Sequence, residues 1–170
     1  LKKFRVHPLI MTGYTILIFS YTAFFIRLIE HYGKMSFGSL ILLLLILPVF
    51  LYYLTLLFKE VNIDEDGIGV KGIFGKVKVK WEDISSVTVS KGRKNFIFLT
   101  SKDRKSIIID DTLKDFELIL RTIGEKVDKS ALPEDWNDII KSYKRSYFSI
   151  ILIYIAGFLL LFVILKSFIG

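Results

Sequence analysis

Few residues in this chain could do chemistry, and their spacing narrows what that chemistry would be. The 170 residues include no cysteine and only two histidines, His7 and His31. Without cysteine, disulfides, thiolate nucleophiles and Cys-ligated metals are excluded together. The run NIDEDG from Asn62 to Gly67 has the opening of a calcium-binding EF-hand loop. Such a loop needs a bidentate acid at its twelfth position, between two helices. Counted from Asn62 that position is Ile73, and the flanks alternate like strands, so a polar hairpin turn is expected instead. Asp110 and Asp111 are a tight acidic pair, but they precede an amphipathic stretch and suit a helix start better than acid–base work. No nucleophile-elbow, zinc-protease or P-loop pattern is present. The expectation is a protein with no catalytic residue, no cofactor and no metal.

What remains is a basic pattern. Lys76, Lys78 and Lys80 alternate with Val77, Val79 and Trp81, a two-residue repeat that gives one cationic and one apolar strand face. Lys71, Lys91, Arg93 and Lys94 fall in neighbouring turns. Together these seven residues are the candidate surface for lipid or a partner. Each lysine facing an anionic leaflet contributes about 1 kcal/mol. The same row also works as a solvated face that discourages edge-to-edge sheet pairing. No arginine cluster is placed to grip a phosphate with two bonds at once.

These residues must be positioned by elements of two very different kinds. Windows 8–26, 40–58 and 147–165 contain no Asp, Glu, Lys or Arg. Each is long enough, at about 1.5 Å per residue, to cross a hydrocarbon core of about 30 Å as a helix. The first window exceeds a signal peptide's apolar stretch and lacks a clear cleavage site, so it is read as a retained span. The absence of charge within the windows argues against an ion or proton path. Thr12, Thr15, Ser20 and Thr22, with Ala156 and Gly157, suit helix–helix packing, and Pro48 is placed to kink the second span.

Lys and Arg near span ends resist translocation and set orientation. Lys2, Lys3 and Arg5 precede the first window, and Lys141, Lys144 and Arg145 precede the third. The amino terminus and the region between spans two and three are therefore expected in the cytosol, with the 27–39 connection and the carboxyl end outside. That middle region, 59–146, carries 18 basic and 16 acidic residues, so nucleic acid is not an expected partner.

Within the middle region the period changes to two. EVNI, IGVKGIF, KVKVKW, ISSVTVS, FIFLT and SIIID read as antiparallel strands, with a strong hairpin signal at Asp66-Gly67. Leu113, Phe116, Leu120, Ile123 and Val127 recur at helical spacing, with Asp110, Asp111 or Thr112 as the expected cap. SALPEDWNDIIKSYKRS then reads as a juxtamembrane helix started near Pro133. Trp136 and Tyr143 with Lys141, Lys144 and Arg145 are expected there as membrane-interface anchors.

The run VNIDEDGIGVKGIFGKVKVKWEDISSVTVSKG, with more strands and one closing helix, resembles the bacterial pleckstrin-homology-like (PH) domains of small membrane proteins. The resemblance covers about residues 60–128. It implies a small β-barrel closed by a helix and used for binding or assembly. The expected class is thus an α+β membrane protein: three transmembrane helices with an inserted small PH-like antiparallel β-barrel, capped by an amphipathic helix. The expected domains are a two-span hairpin (1–58), a cytosolic barrel (59–129), a juxtamembrane helix (130–146) and a third span (147–170). The expected role is a noncatalytic multi-pass protein of the cytoplasmic membrane, displaying a binding or scaffolding module. Its partners would be the lipid bilayer and a membrane or cytosolic protein, with a homo-oligomer an open alternative. Two other readings stand beside it: an anionic-lipid sensor acting through Lys76, Lys78 and Lys80, and an accessory subunit of a transporter or membrane enzyme.

Overall fold

The computed structural model describes residues 1–32 and 37–169. In chain order the elements are β1 (Lys2–Arg5), α1 (Pro8–Tyr32), α2 (Phe37–Phe58), β2 (Glu60–Ile63), β3 (Gly67–Gly72), β4 (Gly75–Lys80), β5 (Ile84–Ser90), β6 (Phe96–Ser101), β7 (Ser106–Asp110), α3 (Phe116–Lys126), α4 (Trp136–Ser142) and α5 (Phe148–Ile169). The chain divides into two units: Leu1–His7 with Phe58–Ser146, and Pro8–Leu57 with Tyr147–Gly170. The connection expected at 27–39 falls partly on residues 33–36, which lie outside the described residues.

The second unit holds the three long helices. Their apolar stretches run Pro8–His31, Phe37–Phe58 and Phe148–Lys166, with mean hydropathies of 1.8, 2.7 and 3.0. All three are long and apolar enough to cross a membrane. They are apolar on their outer faces as well: Leu44 is 66% exposed and Phe162 65%. A helix that is hydrophobic all round belongs in lipid or a large core. α1 and α5 approach closely where glycine leaves room. A Cβ on Gly157 would lie 3.0 Å from the Ile16 side chain, and one on Gly13 3.0 Å from the Tyr154 ring. Ser20 Oγ turns back onto the Ile16 carbonyl at 2.7 Å, removing a polar group from the apolar surround. α2 meets α1 through aromatic hydroxyls. Thr15 and Tyr53 share a 2.9 Å hydrogen bond, and the Tyr21 hydroxyl donates to the Leu42 carbonyl.

The first unit is built on two antiparallel sheets, ordered β1-β2-β3-β4 and β5-β6-β7. The strands expected from the two-residue period are present as β2 to β7. The sheets do not close into a barrel, which corrects the barrel expectation. β4 does not pair onward to β5, because the chain enters a single 3-10 turn at Trp81–Asp83. Trp81 anchors that turn to the β2–β3 connection: its Nε1 donates to the Asp64 carbonyl at 3.0 Å, and its backbone N–H to Asp66 O at 3.1 Å. β5 then starts with a register shift between Ile84 and Ser86. The hairpin at 72–75 turns on Gly75, whose φ of +123° suits a residue without Cβ.

β1 was not expected. Lys3, Phe4, Arg5 and Val6 alternate in the same way as β4, and Phe4 and Val6 are buried while Lys3 and Arg5 are exposed. β1 pairs with β2 across the whole α1–α2 hairpin, and Val6 bridges to Leu113 beyond β7. Ile68, Ile97, Leu99, Ile109 and α3's Phe116 and Ile119 form the heart of the core, each at most 1% exposed.

Two helix expectations are corrected. α3 begins at Phe116, and Asp115 (φ 55°) precedes it, its carbonyl accepting from the N–H groups of Leu118 and Ile119. Asp110, Asp111 and Thr112 do not cap it, because they are engaged elsewhere. The juxtamembrane stretch forms only the short α4, and Tyr143 returns to extended backbone before α5. The helix expected over 130–146 is thus confined to Trp136–Ser142. α4 docks on α3, where a Cβ on Gly124 would fall 2.3 Å from Trp136 Nε1. Gly124→Ala is expected to displace the Trp136 ring and cost about 1–3 kcal/mol by overpacking. Thermal unfolding of the full chain in detergent, followed by tryptophan fluorescence, would read both the loss and the ring's new exposure.

Candidate functional site

The β1–β4 sheet has two ends of opposite character, and the candidate lysines are divided between them. At one end lie Asp64, Glu65 and Asp66 in the β2–β3 turn. Trp81–Asp83 is tied to them through Trp81, and Lys102 is tied to that turn by its N–H donating to Asp83 O at 2.9 Å. Lys78 Nζ donates to Asp64 Oδ2 at 2.7 Å. That bond, with two backbone N–H groups, holds the Asp64 carboxyl below the usual carboxylate range. Lys80 reaches Glu82 at 3.4 Å, an exposed pair of little energetic weight. Two of the three lysines in the expected row thus face carboxylates of their own chain. Their apolar counterparts Val79 and Trp81 are buried, whereas Val77 is 46% exposed.

The opposite end carries the β3–β4 hairpin tip. Registers place Arg5 opposite Glu60, Glu60 opposite Lys71, and Lys71 opposite Lys76. Arg5 Nε donates to Glu60 Oε2 at 3.1 Å, and this bond depresses the Glu60 carboxyl. Among the described residues Lys71 and Lys76 make no ion pair. Between them the chain projects Ile73, 43% exposed, and Phe74, 100% exposed. The sequence reading missed Phe74 as a surface feature, though an apolar pair between two glycines in a turn was the signal for it.

Lys91, Arg93 and Lys94 lie in the β5–β6 loop, which is held near the start of α3 and the end of α4. Asn95 donates its backbone N–H and its side-chain amide to Asp111 Oδ2 at 3.1 and 2.8 Å, and Lys91 Nζ reaches Ser142 Oγ at 3.4 Å. Lys91 and Arg93 are exposed and Lys94 is half-buried.

Residues 110–114 take hold of every place where this unit's chain runs to or from a long helix. The His7 N–H donates to Thr112 O at 2.8 Å, and the Lys114 N–H to Arg5 O at 2.8 Å, just before α1. Lys59, the residue after α2, pairs with Asp110 Oδ2 at 2.7 Å. Arg145, just before α5, donates to the Leu113 carbonyl. Burial pushes the Asp110 carboxyl up, but the Lys59 ammonium and the Thr112 donors outweigh it and hold it below its ordinary value. His7 is pushed down by burial and by Arg145 and Lys114, with Asp115 opposing them.

Of the expected interface anchors, Trp136 is a core residue. It is 5% exposed, and its Nε1 is buried without a partner among the described residues, because α4 packs on α3. Tyr143 packs its ring against Phe116 in a tilted pair, with centroids 5.1 Å apart. Arg145 is spent on Leu113, while Lys141 and Lys144 stay exposed. His7 and His31 sit near opposite ends of α1, about 36 Å apart at 1.5 Å per residue, too far to share a metal. Comparison with protein-family models, with curated proteins and with solved structures returned no match to this chain.

The Lys59–Asp110 pair predicts an acid signature. A folded carboxyl with a depressed pKa adds stability above its unfolded pKa of about 4, and that stability is lost as pH falls through the lower folded value. Asp110→Asn is expected to cost about 2 kcal/mol at pH 7. It should also flatten the decline in unfolding temperature below about pH 5, measured on the full chain in detergent.

Proposed function

We propose that this chain is a three-span integral membrane protein that displays its α+β unit in the cytosol as a noncatalytic, PH-like binding module. The strand pairing supports the topology. β1 and β2 are hydrogen-bonded neighbours separated in sequence by α1 and α2. Their shared compartment fits two helices that cross the bilayer out and back. The basic segments flanking the spans, Lys2, Lys3 and Arg5 with Lys141, Lys144 and Arg145, belong to the same unit, and their excess charge favours the cytosol.

The observation that carries the binding reading is the apolar tip, Ile73 and Phe74. Burying this pair within the unit would have stabilised the fold, since a phenylalanine side chain contributes about 1.5–3 kcal/mol on burial. Displaying Phe74 fully, on a hairpin bracketed by lysines, suits a surface that meets something else. The PH-like reading rests on the strand–hairpin–helix order, and it accommodates the open pair of sheets as a variation.

Two measurements test this. The chain has no cysteine, so Glu65→Cys in the exposed β2–β3 turn gives a single label site. A membrane-impermeant maleimide should label it only after the cells are opened; labelling in intact cells would reverse the topology. A photoreactive phenylalanine analogue at position 74 should give adducts in cells, whether with protein or with lipid, well above those from the same analogue at position 65. Equal yields from both positions would remove the binding reading.

A further inference from the structure

The sheet end that carries the apolar tip is also the end wired to the long helices. Arg5, which closes β1, lies three residues before α1 begins at Pro8, and Glu60, which opens β2, lies two residues after α2 ends at Phe58. These two residues are opposite each other, and Glu60 is opposite Lys71. β3 therefore runs back along β2 to the point where the chain enters from α2, and then continues past it. At about 3.3 Å per residue, Gly72 and the reversing pair Ile73–Phe74 carry the tip roughly 5–7 Å beyond Glu60. A bilayer's headgroup layer is about 5–8 Å deep on each side of the hydrocarbon core.

Charge follows the same axis. The turn carrying Asp64, Glu65 and Asp66, and the Glu82 and Asp83 turn, occupy the far end, where Lys78 and Lys80 pair with carboxylates, Lys102 donates to the Glu82 carbonyl, and Lys2 lies opposite Ile63. At the tip end Lys71 and Lys76 stand side by side with no ion pair among the described residues, on either side of the two exposed apolar residues; Glu60, opposite Lys71, is bonded to Arg5. An apolar pair flanked by cations at the wired end of the sheet matches an interface of hydrocarbon beneath anionic headgroups. A protein groove would require a partner whose shape nothing here constrains.

We propose that the β3–β4 hairpin is a membrane-dipping wedge. Ile73 and Phe74 enter the anionic leaflet from which the spans emerge, and Lys71 and Lys76 sit at its headgroups. This rests on the membrane-embedded binding reading above and names the occupant of its tip. It also moves the lipid contact away from Lys78 and Lys80.

The test uses the full chain reconstituted in vesicles, with Phe74→Cys carrying a small polarity-sensitive fluorophore and Glu65→Cys as the control. In vesicles containing phosphatidylglycerol, the probe at 74 should report an apolar setting and be quenched by brominated acyl chains. In phosphatidylcholine alone it should be mostly aqueous, and the probe at 65 should be aqueous in both. Adding Lys71→Ser and Lys76→Ser should lower the inserted-to-aqueous ratio about 25-fold, roughly fivefold per lysine, whereas Lys78→Ser with Lys80→Ser should change it little. Insertion that ignores lipid charge, or that depends on Lys78 and Lys80 instead, would overturn the proposal. An aqueous probe in every lipid would overturn it too. In that case a protein adduct from the photoreactive analogue at 74 would leave the binding-module reading standing, and no adduct would remove both.

Discussion

The α+β unit is assembled from two stretches of chain separated by about fifty residues of apolar helix, so something must bring the ends together. Residues 110–114 do this. Their backbone carbonyls and N–H groups, with the Asp110 carboxylate, hold the approach to α1, the exit from α2 and the approach to α5. Each hydrogen bond is modest alone, about 1 kcal/mol net, and somewhat more where a charge is involved. Their value lies in convergence on one short segment, itself anchored by the fully buried Leu113. Without that segment β1 would have only its four-residue ladder to β2, and a short edge strand on its own is weakly held.

This arrangement gives the sheet a direction. The strand ends that connect to the long helices differ from the free ends in the side chains they expose. The connected end bears the Arg5–Glu60 pair with Lys71 and Lys76 beside an exposed apolar tip, and the free end bears the acidic turns with Lys2, Lys78 and Lys80. The candidate lysine row of β4 spans both ends, and Lys78 and Lys80 pair with carboxylates while Lys76 makes no ion pair among the described residues. Alternation along a strand tells which face a lysine takes but not which carboxylate folds over to meet it. Asp64 lies fourteen residues before Lys78 and reaches it only through the β2–β3–β4 register.

Much of the fold was legible because periodicity is local. β2 to β7 and the apolar helices follow from spacing alone, as does the apolar face of α3. β1 was missed because a four-residue strand beside a long apolar window looks like flanking charge. Its alternation of Lys3, Phe4, Arg5 and Val6 gains meaning only when β2 lies alongside. Trp136 was assigned to the headgroup layer on residue type, but Gly124 opens a space on α3 that the indole fills. Asp110, Asp111 and Thr112 looked like a helix cap because their types suit one. Instead they pair with Lys59, Asn95 and the His7 backbone, which are distant in sequence.

The sequence by itself determined three helices long and apolar enough for a bilayer, a strand-rich insert between the second and third, and the cationic segments that flank them. These are properties of runs, set by hydropathy and period within a single element. Only the tertiary structure decided that the sheets stay open, that the amino terminus joins the insert as a strand, and which lysines beside Phe74 make no ion pair among the described residues. Those outcomes depend on register and on contacts between residues far apart in the chain, where local pattern carries no information about the partner.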